Sequence, residues 1–264
     1  MKSAHNLEPS DPDQKLLRDY DLREIDAADP RSRFHRKYVA RLRRIVQAVT
    51  AALPPGAIVL DVGCSQANAS LLLAEQGYCP VGVDIRRGAL QYALSKHERG
   101  WFRCVVGSAA RLPFRAGQVD AVILGEMLEH CADPVRVLDE CLRPLKPGGL
   151  LVVTTPNARY LGGHDTPYTP AQPASVELAQ RQFLPDTHVF VFTRAQLRRL
   201  LRRGGLEVLT CGYEGSLVYS DRLSLFKRFL APAQLDSLSR LLNHLPVLNA
   251  LLSYTLVAVA RKGA

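Results

Sequence analysis

The stretch Val59-Leu60-Asp61-Val62-Gly63-Cys64-Ser65-Gln66-Ala67-Asn68-Ala69-Ser70 narrows the folds open to this chain more than any other. An apolar strand runs into a tight turn of small residues, and a helix begins near Ala67. Strand, small-residue turn and helix form the opening unit of an open α/β sheet, whose ligands sit at the carboxyl ends of the strands. Gly63 permits a left-handed backbone, or a close approach that a Cβ would block. The free N–H groups at the start of the following helix favour a carboxylate or phosphate. About twenty residues on, Pro80-Val81-Gly82-Val83-Asp84-Ile85 is a second apolar strand, ending in an acid. A carboxylate there reaches the ribose hydroxyls of a nucleoside ligand. Together the two stretches predict a nucleoside-containing cofactor.

A dinucleotide site needs glycines at the first, third and sixth positions of the turn, where Gly63, Ser65 and Asn68 stand. That disfavours a nicotinamide-dependent oxidoreductase. The stretch resembles motif I of the class I S-adenosylmethionine-dependent methyltransferases, with Asp84 in the place of that family's ribose-binding acid. The family's usual turn is Gly-x-Gly-x-Gly, and here Ser65 and Ala67 replace the second and third glycines. Both are small, so the turn can form, yet the replacement leaves open a methyltransferase fold that has lost activity. The Leu-Lys-Pro-Gly-Gly turn at 145–149 and Thr155-Pro156-Asn157 resemble the same family, in the right order. Within the family the chain resembles the ubiquinone-pathway O-methyltransferase-like branch, and no particular member stands out.

Strands and helices alternate over residues 57–155, which by itself predicts a doubly wound parallel sheet. The resemblance implies seven strands in a Rossmann-like sheet, the last one antiparallel between strands five and six. At 264 residues and 47% hydrophobic composition the chain can bury one full core with additions. The expected division is an N-terminal arm (1–32), a methyltransferase domain (33–213 and 251–264), a proline-rich substrate-side loop (156–192) and a helical insertion (214–250). Within the insertion, 221–230 and 232–245 read as amphipathic helices. Their leucine stripe either packs on the core, roofs a lipid-like substrate, or touches a membrane or partner.

Six cysteines stand singly with no Cys-x-x-Cys pair, and the polar first residues are unlike a secretory signal. These features, and the absence of any membrane-length apolar run, suggest a reducing cytoplasm. The net charge of +9 raises the question of nucleic acid. Its first concentration is a helix from Arg33 to Leu53, with Arg36, Lys37, Arg41, Arg43 and Arg44 on one face. A solvated face is the simpler reading, and no recognition motif accompanies it.

Methyl transfer from a sulfonium is an in-line displacement, so the protein supplies alignment and, where the acceptor loses a proton, a base. The resemblance places Asp61, Gly63, Cys64, Ser65, Asp84, Ile85, Ser108, Ala109 and Gly125 on the S-adenosyl-L-methionine surface. Asp61 has a structural role available too, accepting N–H bonds of the turn. After strand four, Glu126, Glu129 and His130 stand at i, i+3 and i+4, one face of a helix. Two carboxylates and an imidazole suit a divalent cation such as Mg²⁺. The spacing resembles the metal-binding stretch of ubiquinone-pathway and small-RNA methyltransferases, where a later histidine completes the set; His188 stands where such a ligand returns. Without a metal, His130 is the candidate base or acceptor-pocket residue, with Glu126 and His188 beside it. The expected reaction is transfer to oxygen of a small-molecule, sugar or lipid-like acceptor.

Overall fold

The computed structural model describes residues 33–161, 168, 188–214, 234 and 245–263. The arm, most of the 156–192 loop and most of the 214–250 insertion, including both amphipathic helices expected there, lie outside the described residues.

The elements in chain order are α1 (Arg33–Ala52), β1 (Ile58–Val62), α2 (Asn68–Glu75), β2 (Cys79–Asp84), α3 (Arg87–Lys96), β3 (Arg103–Val106) and β4 (Val119–Gly125). A single 3-10 turn, Leu128–His130, follows, then α4 (Pro134–Leu142), β5 (Leu145–Pro156), α5 (Arg194–Arg203), β6 (Leu206–Glu214), α6 (Pro246–Leu252) and β7 (Thr255–Lys262). The seven strands form one sheet in the order β3-β2-β1-β4-β5-β7-β6. Strands β1 to β5 pair in parallel, while β7 runs antiparallel to both β5 and β6. The order reverses between β1 and β4, so a crevice opens at the carboxyl ends of those two strands.

Alternation along the central strands divides the core into two layers. Leu60, Val62, Val122, Leu124, Leu151 and Val153 pack on the side of Leu138, Leu142, Leu197, Leu200 and Leu201 from α4 and α5. Val59, Ala121, Ile123, Leu150 and Val152 face the other way, against Tyr38, Leu42, Ile45 and Val49 of α1 and Leu73 of α2. Each such leucine or isoleucine contributes roughly 1.5–3 kcal/mol by leaving water. Both layers are built from residues too apolar to stay exposed, so the strands read as continuous apolar runs.

Local signals set the helix ends. Asp133 accepts from the Arg136 N–H at 3.0 Å with Pro134 at the first helical position of α4. Thr193 and Gln196 form a reciprocal capping box at the start of α5. The turn expected at Lys146–Gly149 instead interrupts β5 from within. Leu145 pairs Val119 and Leu150 pairs Ala121, so the extra residues bulge out with Gly148 at φ 73°. Helix α6 was not expected as a separate element; its seven residues carry Asn249 and Ala250 to the edge of the site.

Candidate functional site

Three residues of the turn after β1 take left-handed backbone: Gly63 at φ 71°, Ser65 at 49° and Ala67 at 56°. The loop keeps the shape for which glycines are usual, at a cost of about 1–2 kcal/mol for each side chain placed there. Gly63 is required twice, because a Cβ at that position would lie 2.5 Å from Met127 Cγ. Side chains brace Ser65. Ser65 N–H donates to Asp84 Oδ2 at 2.8 Å, and Arg86 Nη2 donates to Ser65 Oγ at 2.9 Å. Beyond the turn, Lys96 is 1% exposed and its Nζ donates to Asn68 Oδ1 at 2.7 Å. Asn68 Nδ2 donates in turn to Tyr38 Oη at 2.7 Å, joining α1, α2 and α3 beneath the crevice.

Asp61 is buried and accepts from Ser70 Oγ at 2.7 Å and from the Ser70 backbone N–H. It therefore holds the first turn of α2 rather than the turn residues themselves. Burial is the largest influence on its carboxyl, lifting it from 3.8 to about 6 despite the Ser70 bonds, with the nearby Asp84 charge adding to the rise. The Asp84 carboxylate is 6% exposed at the end of β2, and its second oxygen accepts the Arg86 N–H at 2.9 Å. Cys64 turns its thiol down against Gly82, where a Cβ would meet Sγ at 2.8 Å, so only its backbone borders the crevice. Burial pushes that thiol up, with Asp61 and Asp84 adding to the effect, and leaves it a packing group.

Ile85, one residue beyond β2, exposes 49% of its area, and Val106, paired with Asp84, exposes 54% at the end of β3. An exposed apolar side chain beside the ribose-binding acid suits the face of a flat ring such as adenine. Ser108 is exposed beyond β3, its Oγ accepting the Ala110 N–H at 3.2 Å, and Ala109 is half-buried beside it. Gly125 ends β4 with Ile45 of α1 close over it.

At Glu126 the structure departs from the sequence expectation. Glu126 is not on a helix with Glu129 and His130; it turns the chain at φ 54°, and only Leu128–His130 are helical. Its carboxylate pairs with Arg41 at 3.4 Å. Glu129 points inward and is wholly buried, accepting from Thr155 Oγ1 at 3.0 Å. The Glu129 carbonyl takes the N–H groups of Val189 and Phe190, which brings His188 back over the site. His130 and His188 face each other with ring centroids 5.3 Å apart, and ligand atoms of Glu129, His130 and His188 all lie within 4.8 Å of one another. Burial first, and the Glu126 charge second, hold the Glu129 carboxyl well above the usual carboxylate range.

Sequence reasoning missed one feature of this edge. Gln66 Oε1, Glu126 Oε1, Glu129 Oε1 and Thr154 Oγ1 are buried oxygens without hydrogen-bond partners among the described residues; Gln66 follows β1, the two glutamates follow β4, and Thr154 lies near the carboxyl end of β5. Unmet acceptors of this kind are rare in native interiors and collect where a ligand completes them. Neither Gln66 nor Thr154 carries a sequence signal that separates it from an ordinary turn or strand residue.

Comparisons with known proteins agree with this geometry. Residues 60–153 match the model of a methyltransferase domain. A probable S-adenosylmethionine-dependent methyltransferase of Mycolicibacterium smegmatis is 30% identical over 162 residues, covering 58% of this chain and 62% of that protein. The ubiquinone biosynthesis O-methyltransferase of Marinobacter nauticus is 37% identical over 137 residues, 49% of this chain and 56% of its own. The demethylmenaquinone methyltransferase of Renibacterium salmoninarum is 35% identical over 129 residues, 49% and 53%. The chain thus spans about half to three-fifths of the length of these curated relatives. In fold it is similar to the [4+2]-cyclase SpnF, with a TM-score of 0.58 at 23% identity over 90% of this chain and 85% of that one. It is likewise similar to a putative sarcosine dimethylglycine methyltransferase of Galdieria sulphuraria, at 0.57 and 18% over 87% of each. The sheet order, the turn after β1 and the acid after β2 are in keeping with a methyltransferase domain over residues 60–153.

Proposed function

We propose that this protein transfers a methyl group from S-adenosyl-L-methionine to oxygen of a small-molecule, sugar or lipid-like acceptor. The observation that carries the reading is Asp84, a buried carboxylate at the end of β2 that also fastens the Ser65 turn. Oδ2 keeps a lone pair for a ribose hydroxyl after accepting the Ser65 N–H, while Oδ1 takes both the backbone N–H and the Nε of Arg86. Ile85 offers an exposed apolar side chain for adenine, with Ser108 and Ala109 beyond β3. The cofactor supplies the electrophilic methyl group, and the chain's part is alignment and exclusion of water. His130 is the candidate base, on the acceptor side of the crevice, with His188 facing it. The similarity to a ubiquinone biosynthesis O-methyltransferase supports oxygen as the accepting atom.

The test is the thermal midpoint with and without S-adenosylhomocysteine, in the native chain and in Asp84→Asn and Asp84→Ala. Binding to the folded state alone stabilises by about 2.7 kcal/mol at a hundredfold excess over the dissociation constant. A rise that both variants lose, while each still melts cooperatively, supports the site. No rise at saturating ligand in the native chain overturns the reading.

A second reading is favoured by the meeting of Glu129, His130 and His188. Two imidazoles and one carboxylate fit Zn²⁺, Mn²⁺ or Fe²⁺, whereas Mg²⁺ takes oxygen ligands, so the Mg²⁺ expected from the sequence does not fit this set. A bound ion would hold a vicinal oxygen pair and lower the pKa of an attacking hydroxyl. Glu126, engaged with Arg41, drops out of the ligand set. A midpoint raised by Zn²⁺ or Mn²⁺, and unmoved in His188→Ala, would support the ion; an unchanged midpoint would remove it.

A further inference from the structure

The charge excess of the chain has a second concentration, on α5, that methyl transfer does not use. Of the ten residues of α5, Arg194, Arg198, Arg199, Arg202 and Arg203 are arginines and none is an acid. At about 100° per residue the arginines fill one half of the helix surface, and Leu197, Leu200 and Leu201 fill the other. Those leucines are 0%, 5% and 0% exposed, locked into the core under the sheet. Among the described residues no ion pair joins any of the five arginines to an acid. Arg194 lies over the Tyr213 ring at 5.4 Å, which keeps its guanidinium flat on the surface.

Helix electrostatics explains only part of this. Arg202 and Arg203 sit in the last turn, where the helix dipole favours cations; Arg194 sits in the first, where it opposes them. The pairs Arg194–Arg198, Arg198–Arg202 and Arg199–Arg203 set like charges one turn apart, which weakens the helix. A face that served solubility alone would mix its signs. On α1, by contrast, Arg41 and Arg44 are engaged by Glu126 and Glu214.

We propose that the arginine face of α5 docks the phosphate backbone of a nucleic acid, without reading its sequence. Arg194, Arg198 and Arg202 rise along the helix at about 6 Å a step, and Arg199 and Arg203 form a second row beside them. Guanidinium is the side chain that grips phosphate oxygens two at a time. A lipid surface is the weaker occupant, because basic helices that lie on membranes bury an apolar face there, and the apolar face of α5 is already spent on the core. The inference is independent of the methyl-transfer reading and does not make the nucleic acid the methyl acceptor.

The test uses the full chain with a fluorescent single-stranded RNA and a duplex DNA, titrated by anisotropy between about 50 and about 300 mM NaCl. Affinity should fall steeply with salt, with a slope of log K on log salt of about −3 to −4. The double variant R198E/R202E should weaken binding at least about tenfold and flatten that slope by about two. R199Q/R203Q should do the same more mildly. Each variant should melt cooperatively at or above the native midpoint, which separates lost docking from lost fold. No binding at low salt, or equal binding by native and variant chains, overturns the proposal. Binding confined to phosphatidylserine vesicles overturns it too, and assigns the face to a membrane.

Discussion

Arg41 Nη1 lies 3.4 Å from Glu126 Oε2, so the N-terminal helix is fastened to the residue at which the chain leaves β4. Both side chains are largely shielded, at 23% and 14% exposure, and Glu126 stands close enough to Glu129 to raise its carboxyl. Arg41→Met should lower unfolding free energy by about 1 kcal/mol, near the upper end for a partly exposed pair. Adding Glu126→Gln should recover part of that loss, because the unpaired carboxylate goes as well. Urea denaturation of the four members of the cycle measures the coupling, and strict additivity would show that the pair contributes nothing.

Asp61 gives the fold a pH dependence of definite sign. Its carboxyl is raised from 3.8 to about 6 by burial, so the folded state holds the proton more tightly than the unfolded chain. Its contribution is complete below about pH 4 and is lost as pH rises toward about 6. Asp61→Asn keeps a hydrogen-bond acceptor for Ser70 and cannot titrate. The difference in unfolding free energy between native and variant chains should therefore drift by up to about 3 kcal/mol across that window, against the native chain as pH rises. A flat difference would mean that Asp61 binds its proton no more tightly in the fold than in the unfolded chain.

Glu129 should behave alike in sign, and its variants separate shape from charge. Its raised carboxyl favours folding at low pH, and that advantage disappears as pH climbs through its elevated value. Glu129→Gln retains the volume and an oxygen for Thr155 Oγ1, so near pH 8 it should be at least as stable as the native chain. Glu129→Ala opens a cavity and strands the threonine hydroxyl, and should cost about 2–3 kcal/mol. Guanidinium denaturation at pH 5 and pH 8 distinguishes the two; a glutamine variant that is the less stable at pH 8 would show that the carboxylate is charged and held.

Gly63→Ala should be disproportionately damaging for one added methyl group. It forces a side chain to φ 71° and drives Cβ toward Met127 Cγ. Backbone strain alone is about 1–2 kcal/mol. Met127→Ala in the same chain removes the contact and leaves the strain, so it should restore only part of the loss. Full restoration of the thermal midpoint would show that the contact, not the backbone, makes glycine necessary.

Much of this architecture was legible because its signals are local. The Val59–Val62 run, Gly63, Asp84 and the Asp133-Pro134 cap each act within a few residues, and the structure puts each where its chemistry predicts. The fate of the Glu126–His130 stretch was not legible. Its i, i+3, i+4 spacing assumes an unbroken helix, and Glu126 takes a left-handed turn because the backbone must leave β4, where its N–H still bonds Thr154. That His188 meets His130 depends on Val189 and Phe190 bonding the Glu129 carbonyl, a long-range pairing without a sequence signature. Lys96 reads as an ordinary surface lysine at the end of α3, and its burial on Asn68 follows from packing by three helices at once. The unmet oxygens of Gln66 and Thr154 are likewise products of assembly.

Among the described residues β7 is the sole hydrogen-bonded neighbour of β6, with Leu150 of β5 paired to Arg261 and Leu206 of β6 paired to Lys262. Strands β1 to β5 can therefore join one another as they emerge during synthesis, while β6, with α5 packed on it, has no place in the sheet until residues 255–262 have been made. Closing so long a loop is slow compared with pairing sequential strands. The growing chain would pass through a stage in which five strands frame the cofactor crevice and the arginine helix, tied at its start by the Phe192–Asn157 bridge, waits for its strand. The arginines that repel one another on α5 would also keep that waiting helix from sticking to its neighbours.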